Sequence, residues 1–258
     1  MNSRTAGLRA PVLLGAVVFL VLAVGPATAG DAKKGVEPAA DKLLRQMADY
    51  LGGLKSFTVT AFSVDETKLT SGEKIQQTGD AEIAVQRPDR MSRTPVGAGE
   101  GLALWYDGKN ITVACKGNNT FTTVAAPPML DAAIDTLRKD FKVDAPGADL
   151  LYSRPYDILM EQVHSGRVIG KETVAGLPAN HLAYQGDDVD WQIWIEDGPQ
   201  PVPLRFVITT KTVKDRPQFS VQLSNWQTRA SLSDAKFQFQ QPAGATAVKS
   251  VTTSCASR

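Results

Sequence analysis

The sequence predicts a mainly β fold with α, built on an antiparallel sheet. Three observations lead there. Most of the chain alternates apolar and polar residues with period two, in short runs closed by Gly, Asn, Asp and Pro. The period changes to a helical one in two places, 38–54 and 127–163. Strands are therefore never separated one by one by helices, which excludes a parallel doubly wound sheet.

The first 29 residues read as an export signal rather than as fold. Arg4 and Arg9 form a basic start, "PVLLGAVVFLVLAVG" (11–25) an apolar centre, and "ATA" (27–29) the small residues that a signal peptidase reads. Cleavage is predicted between Ala29 and Gly30, which places the mature protein in the periplasm. The apolar run is short for a membrane span, which needs roughly 20 residues. No Cys stands at the cleavage site to carry a lipid anchor. No second run approaches spanning length, so a soluble mature protein is expected.

After a polar linker (30–37), Leu43, Leu44, Met47, Tyr50, Leu51 and Leu54 recur at three-and-four spacing. Pro38 suits a helix's first turn, and Gly52 with Gly53 suits its stop. Strands follow at 56–67 and 75–86, with "RPDR" (87–90) as a turn or edge because Pro88 has no N–H for a ladder. Residues 101–115 read as a hairpin around Asp107–Gly108, and 120–126 as a further strand. Residues 127–163 interrupt the β pattern with one apolar-faced helix and one or two short ones, Pro155 starting the last. Strands resume at about His164: two around Gly176–Leu177–Pro178, two joined at Asp197–Gly198–Pro199, one at 217–228 and a short closing element at 237–244. The total is ten or eleven, in a domain spanning 38–246 with a flexible tail at 247–258.

One strand raises a question. In "DVDWQIWIED" Trp191, Ile193 and Ile195 share one face, while Trp194 points to the other beside Gln192 and Glu196. Trp191 is expected to be the more buried, lining the interior. Trp194 is expected to be covered by long polar neighbours, the N-terminal helix or the tail.

Several phrases carry a family resemblance: "LKSFTVTAFSVDE", "GDAEIAVQRPDRM", "LWYDGKNITV", "VAGLPANHLAY", "DVDWQIWIEDGPQPVPLRFVI" and "FQFQQPAGA". In this order the chain resembles the exported bacterial group DUF2092, within the superfamily of the periplasmic lipoprotein carriers LolA and LolB. The resemblance implies a curved antiparallel sheet forming an incomplete, half-open barrel. The N-terminal helix and the helical insert would cover its concave face. In the carriers that cavity takes lipid acyl chains. The closer group implies no established activity, and fold transfers better than function.

Composition narrows the function. The chain has 28 Lys and Arg against 27 Asp and Glu. Loss of the signal removes Arg4 and Arg9 and no acid, so the mature charge is about −1. That argues against nucleic acid and against a polybasic membrane binder. The only histidines are His164 and His181, on neighbouring predicted strands, and no metal-binding spacing is present. No GxSxG nucleophile turn occurs, and "GAGEG" (97–101) lacks the Lys and the strand–helix context of a phosphate loop. The acids of "DDVD" (187–190) and "VDE" (64–66) read as solvated turns. The expectation is a protein with no catalytic residues, no metal and no cofactor. Cys115, ending a strand, and Cys255, near the C-terminus, either form a disulfide in an oxidising compartment or remain free thiols.

What remains is apolar. Candidate wall residues for a concave cavity are Phe57, Val59, Leu102, Leu104, Trp191, Ile193, Leu204, Phe206, Phe219, Val221 and Leu223, with Met129, Leu130, Ile134, Leu137 and Leu159 from the insert. They form either a packed core or a ligand cavity, since alternation does not measure empty volume. The functional expectation is therefore a non-enzymatic carrier that binds an apolar ligand, a lipid or an acylated protein. The alternatives are an interaction or sensor module with a filled core and an envelope protein partner, and last an envelope hydrolase.

Overall fold

The computed structural model describes residues 33–97, 101–140, 145–249 and 251. The expected export signal and Cys255 lie outside them. In chain order the elements are α1 (Pro38–Gly53), β1 (Ser56–Lys68), β2 (Lys74–Gln86), β3 (Arg90–Pro95), β4 (Leu102–Tyr106), β5 (Asn110–Cys115), β6 (Thr120–Ala125), α2 (Leu130–Asp140), α3 (Pro155–Leu159), β7 (Val163–Val174), β8 (Leu177–Gly186), β9 (Val189–Glu196), β10 (Pro203–Thr210), β11 (Gln218–Gln227) and β12 (Thr246–Ala247). Short 3-10 helices stand at Ala148–Leu151 and Asp234–Phe237.

All twelve strands form one sheet, ordered β12-β6-β5-β4-β3-β2-β1-β11-β10-β9-β8-β7. Every neighbouring pair is antiparallel except β12 with β6, which is parallel. The outermost strands, β7 and β12, do not pair with each other, so the sheet stays open rather than closing into a barrel. The expected architecture of mainly β with helices on an open antiparallel sheet is the one found.

Three strand assignments change: β3 and β12 are gained and the element expected at 237–244 is lost. The turn or edge expected at 87–90 leads into a strand, β3, that sequence does not assign, because its short polar run "RMSRTP" lacks apolar alternation. Its place comes from pairing β2 on one side and β4 on the other. The predicted element at 237–244 is not a strand. Phe237 ends a 3-10 helix and is buried, and the chain next pairs at β12.

The ends of the domain are also tied down. The described part of the expected linker bridges the β7 edge, Val36 pairing with Gly166 in parallel sense. The Glu37 carboxylate accepts the Val168 N–H at 3.0 Å. Glu37 precedes Pro38 as the α1 N-cap, but its side chain makes this contact instead of capping its own helix. A covered edge is protected from pairing with other chains. At the far edge the Val248 N–H donates to the Phe121 carbonyl, and Val251 is buried, so the start of the tail belongs to the fold.

Helix α1 lies on β7 and β9 and against α3. Ala40, Leu44, Met47, Ala48 and Leu51 form its buried face, at three-and-four spacing. Leu43 and Tyr50, grouped with that face by sequence, lie beside it and are only partly buried. Gly52 lets the insert approach closely, since a Cβ there would stand 2.5 Å from the Ser153 carbonyl oxygen. Gly166 sits beneath a ring, and a Cβ there would stand 2.4 Å from the Tyr184 side chain.

Polar contacts hold the insert in place. Asp41 is buried on α1, 2.7 Å from Arg45 Nε, and accepts a hydrogen bond from the Tyr156 hydroxyl of α3. Arg45 also donates to that hydroxyl at 2.7 Å and lies over the Tyr156 ring. From α2, Asp135 accepts the Tyr152 hydroxyl at 2.6 Å, and Asp131 accepts the Ser153 N–H at 2.9 Å. No helix among the described residues is long and apolar enough to cross a membrane.

Candidate ligand pocket on the concave face

Register decides which residues meet beneath the insert. Trp191 pairs with Tyr184 on β8 and with Ile208 on β10, while Ile193 pairs with Leu182 and Phe206. The Trp191 and Tyr184 rings stack 4.1 Å apart, and Phe206 meets Trp191 edge-on at 5.7 Å. Such pairs add to the benefit of burying their area. The Tyr184 hydroxyl donates to the Ala40 carbonyl of α1 at 3.0 Å, so the aromatic stack is fixed to the helix above it. Burial, ahead of nearby Asp41, pushes the Tyr184 phenol well above its ordinary range, so it stays a neutral donor.

Between this wall and the insert lies a pocket of about 180 Å³. Ile158, Leu159, Val163, Val189, Trp191, Phe206 and Ile208 form its apolar lining. Arg138, Asp149, Glu161 and Gln162 form the polar part. Arg138 Nη2 bonds Asp149 Oδ1 at 2.8 Å. Burial alone would lower the Arg138 guanidinium, but Asp149 and Tyr152 outweigh it and hold its pKa above the usual value. An apolar wall with a charged rim suits the end of an amphiphile's chain. The volume is smaller than the roughly 300–1,000 Å³ of most small-molecule sites.

The sequence-selected wall residues divide three ways. Phe57, Val59, Leu104, Leu130, Ile134, Leu137, Leu159, Trp191, Ile193, Leu204, Phe206, Val221 and Leu223 are buried in one continuous core. Leu102 and Phe219 pack on that core and stay partly buried. Met129 departs from the expectation: it precedes α2 and is 49% exposed. Helical periodicity extends one residue too far toward the prolines at 127–128. Of the whole set, Leu159, Trp191 and Phe206 line the pocket. Ile158, Val163, Val189 and Ile208 are not among the sequence-selected residues, although Val189 and Ile208 keep the period-two phase of Trp191 and Phe206. Sequence reading missed the Arg138–Asp149 rim because no local pattern links residues eleven apart in sequence.

The possible catalytic groups are not brought together. His164 is exposed on β7, whereas His181 pairs with Gly170, six positions further along that strand. Six residues of strand span roughly 20 Å. Asp190 is tied to Arg216 at 3.0 Å and Lys211 at 3.4 Å, and Asp187 and Asp188 are exposed at the turn. Among the described residues no group of His, Cys, Asp and Glu is arranged to hold a metal. Cys115 ends β5 and is buried.

The other face of β9 holds a cluster that sequence did not assemble. His181 stacks on Trp194 at 3.9 Å, with Nδ1 2.8 Å from Glu172 Oε1 and Nε2 3.0 Å from Gln192 Oε1. Trp194 Nε1 donates to Glu172 Oε2 at 2.8 Å, and Arg205 lies 5.2 Å over the indole. The hydrogen bonds from Trp194 and His181 hold the Glu172 carboxyl below its ordinary value. Both ring nitrogens of His181 are engaged, so the cluster reads as a covering for Trp194.

The family of predicted periplasmic proteins DUF2092 matches residues 40–251. The chain belongs to that family, the one its sequence phrases resemble. No curated protein matches it. Among solved structures it is similar to the lipoprotein LppX of Mycobacterium tuberculosis, with 15% identity, TM-score 0.47, and coverage of 76% of this chain and 98% of that one. It is similar to LprF of Mycobacterium bovis, with 17% identity, TM-score 0.42, and coverage of 83% and 100%. A LolA superfamily protein of Nitrosomonas europaea is similar at 12% identity and TM-score 0.40, with coverage of 78% and 97%.

Proposed function

We propose that this protein is an exported periplasmic binding protein that takes the apolar chain of an amphiphile, a lipid or an acyl group, beneath its helical insert. One observation carries the reading: an apolar pocket walled by Trp191, Phe206, Ile208 and Leu159 opens beside the Arg138–Asp149 pair. Each methylene moved from water onto that wall contributes about 0.8 kcal/mol. Its volume of about 180 Å³ suits the end of a chain. A longer chain requires α3 to lift from α1, which breaks the Tyr156 contacts with Asp41 and Arg45. The reading needs no enzyme chemistry and no cofactor.

The test is direct. Protein purified from the periplasm is extracted with organic solvent, and the extract is analysed by mass spectrometry. A fluorescent fatty acid is then titrated into the delipidated protein. Saturable binding that weakens about tenfold in Ile208→Trp, which fills the pocket, supports the reading. Lipid-free protein with no response to the probe would sink it.

A second reading, an envelope interaction module with a filled core, is favoured by the rest of the concave face. Thirteen of the sixteen candidate wall residues are buried in continuous core, and three of them reach the pocket.

A further inference from the structure

A second hollow lies away from the insert. A groove of about 500 Å³ runs between the outer side of α1 and the turn that joins β9 to β10. Its size falls within the range of ligand sites. Helical spacing explains the α1 wall: Leu43, Gln46 and Tyr50 share one side of the helix, next to the buried stripe. Ile195 forms floor, and Pro199 and Pro201 stiffen the opposite lip.

The charge along the groove is of one sign. Asp49, Glu196 and Asp197 line it, and no Lys, Arg or His does. Two neighbouring cations are already engaged. Lys171 pairs with Asp197 at 2.6 Å, and Arg45, held by Asp41 and Tyr156, also attracts Asp49 one helical turn away without bonding it. Asn180, nine-tenths buried, also donates to Asp197, at 3.3 Å. Asp49 and Glu196 therefore face the groove with apolar surface between them and no cation on its walls.

We infer that this groove is a docking site for an extended peptide segment of another envelope protein, carrying basic side chains between apolar ones. Apolar residues would rest on Leu43, Tyr50, Pro199 and Pro201. The Lys or Arg side chains would reach Asp49 and Glu196. The open groove suits a continuous chain, and its two prolines present a preformed lip that loses little entropy on binding. The site is separate from the pocket beneath the insert, and it gives the interaction-module reading a surface.

The probe is a fluorescein-labelled hexapeptide of alternating leucine and lysine, titrated by anisotropy at low salt. Saturable binding is expected, weakening as salt rises. The double variant Asp49→Asn/Glu196→Gln should lose about tenfold in affinity, the sum of two surface ion pairs. Both positions lie at the surface, and an unchanged melting temperature checks the fold. Ile208→Trp should leave peptide affinity unaltered, so failure here and failure of the acyl-chain reading are distinguishable. The inference is overturned by no binding, by equal binding of a leucine–glutamate peptide, by an unaffected double variant, or by loss of binding in Ile208→Trp.

Discussion

Trp191 and Trp194 sit three residues apart on β9, are 5% and 7% exposed, and are buried by different means. Trp191 is covered by apolar and aromatic neighbours on the concave side: Tyr184 stacked on it, Phe206 at its edge, Ile208 beside it. Trp194 is covered on the opposite face by a polar set, with His181 on its ring, Arg205 over it and Glu172 on its indole nitrogen. The first site excludes water by filling volume. The second does so with hydrogen-bonded polar groups, His181 to Glu172 and Gln192 and the indole nitrogen to Glu172. Equal exposure therefore conceals unequal consequences of mutation, because a packed core cannot refill a void whereas flexible polar side chains can rearrange.

The largest expected effect lies on the concave side. Trp191→Ala should destabilise the protein by about 4 kcal/mol, and Trp194→Ala by about 2 kcal/mol, read from urea unfolding midpoints at constant slope. Equal losses would mean that the polar covering is as rigid as the core. A smaller change tests the same stack from below. Gly166→Ala pushes a methyl group into the Tyr184 ring, which is held from above by Trp191 and by its bond to Ala40, and should cost about 2 kcal/mol. Full stability in that variant would show that the stack can slide.

The smallest effect separates the faces by pH. Glu172 has a folded pKa below its ordinary value of 4.5 because Trp194 and His181 favour its ionised form. Its contribution to stability is therefore complete above the unfolded value and is lost as pH falls through the lowered folded value. Melting temperatures across that acid window should fall less steeply in Glu172→Gln than in the parent protein. The emission of Trp194, isolated by replacing Trp105, Trp191 and Trp226 with Phe, should shift over the same window. An identical acid profile in Glu172→Gln would remove the carboxylate from the account of Trp194.

Period-two alternation made the strands legible wherever one face is apolar, as in Phe57–Val59–Ala61 and Trp191–Ile193–Ile195. It failed at β3, whose residues gain strand structure only from neighbours on both sides. It also over-read 237–244, where alternating Phe and Gln accompany a 3-10 helix and an extended segment. The candidate site was half legible for a related reason. Trp191, Phe206 and Leu159 are apolar and in phase, but the pocket's polar rim joins Arg138 and Asp149, which no local period links.

By itself, then, the sequence determined the class of fold, the phase of each apolar strand and which β9 tryptophan faces inward, because these follow from local periodicity and burial of apolar area. Tertiary structure alone decided which polar groups cover Trp194, how much space remains beneath the insert, and that α1 borders a second, acidic groove. Those properties depend on register between distant strands and on the seating of helices on the sheet. No run of residues encodes either one locally, because both are set by how the elements pack.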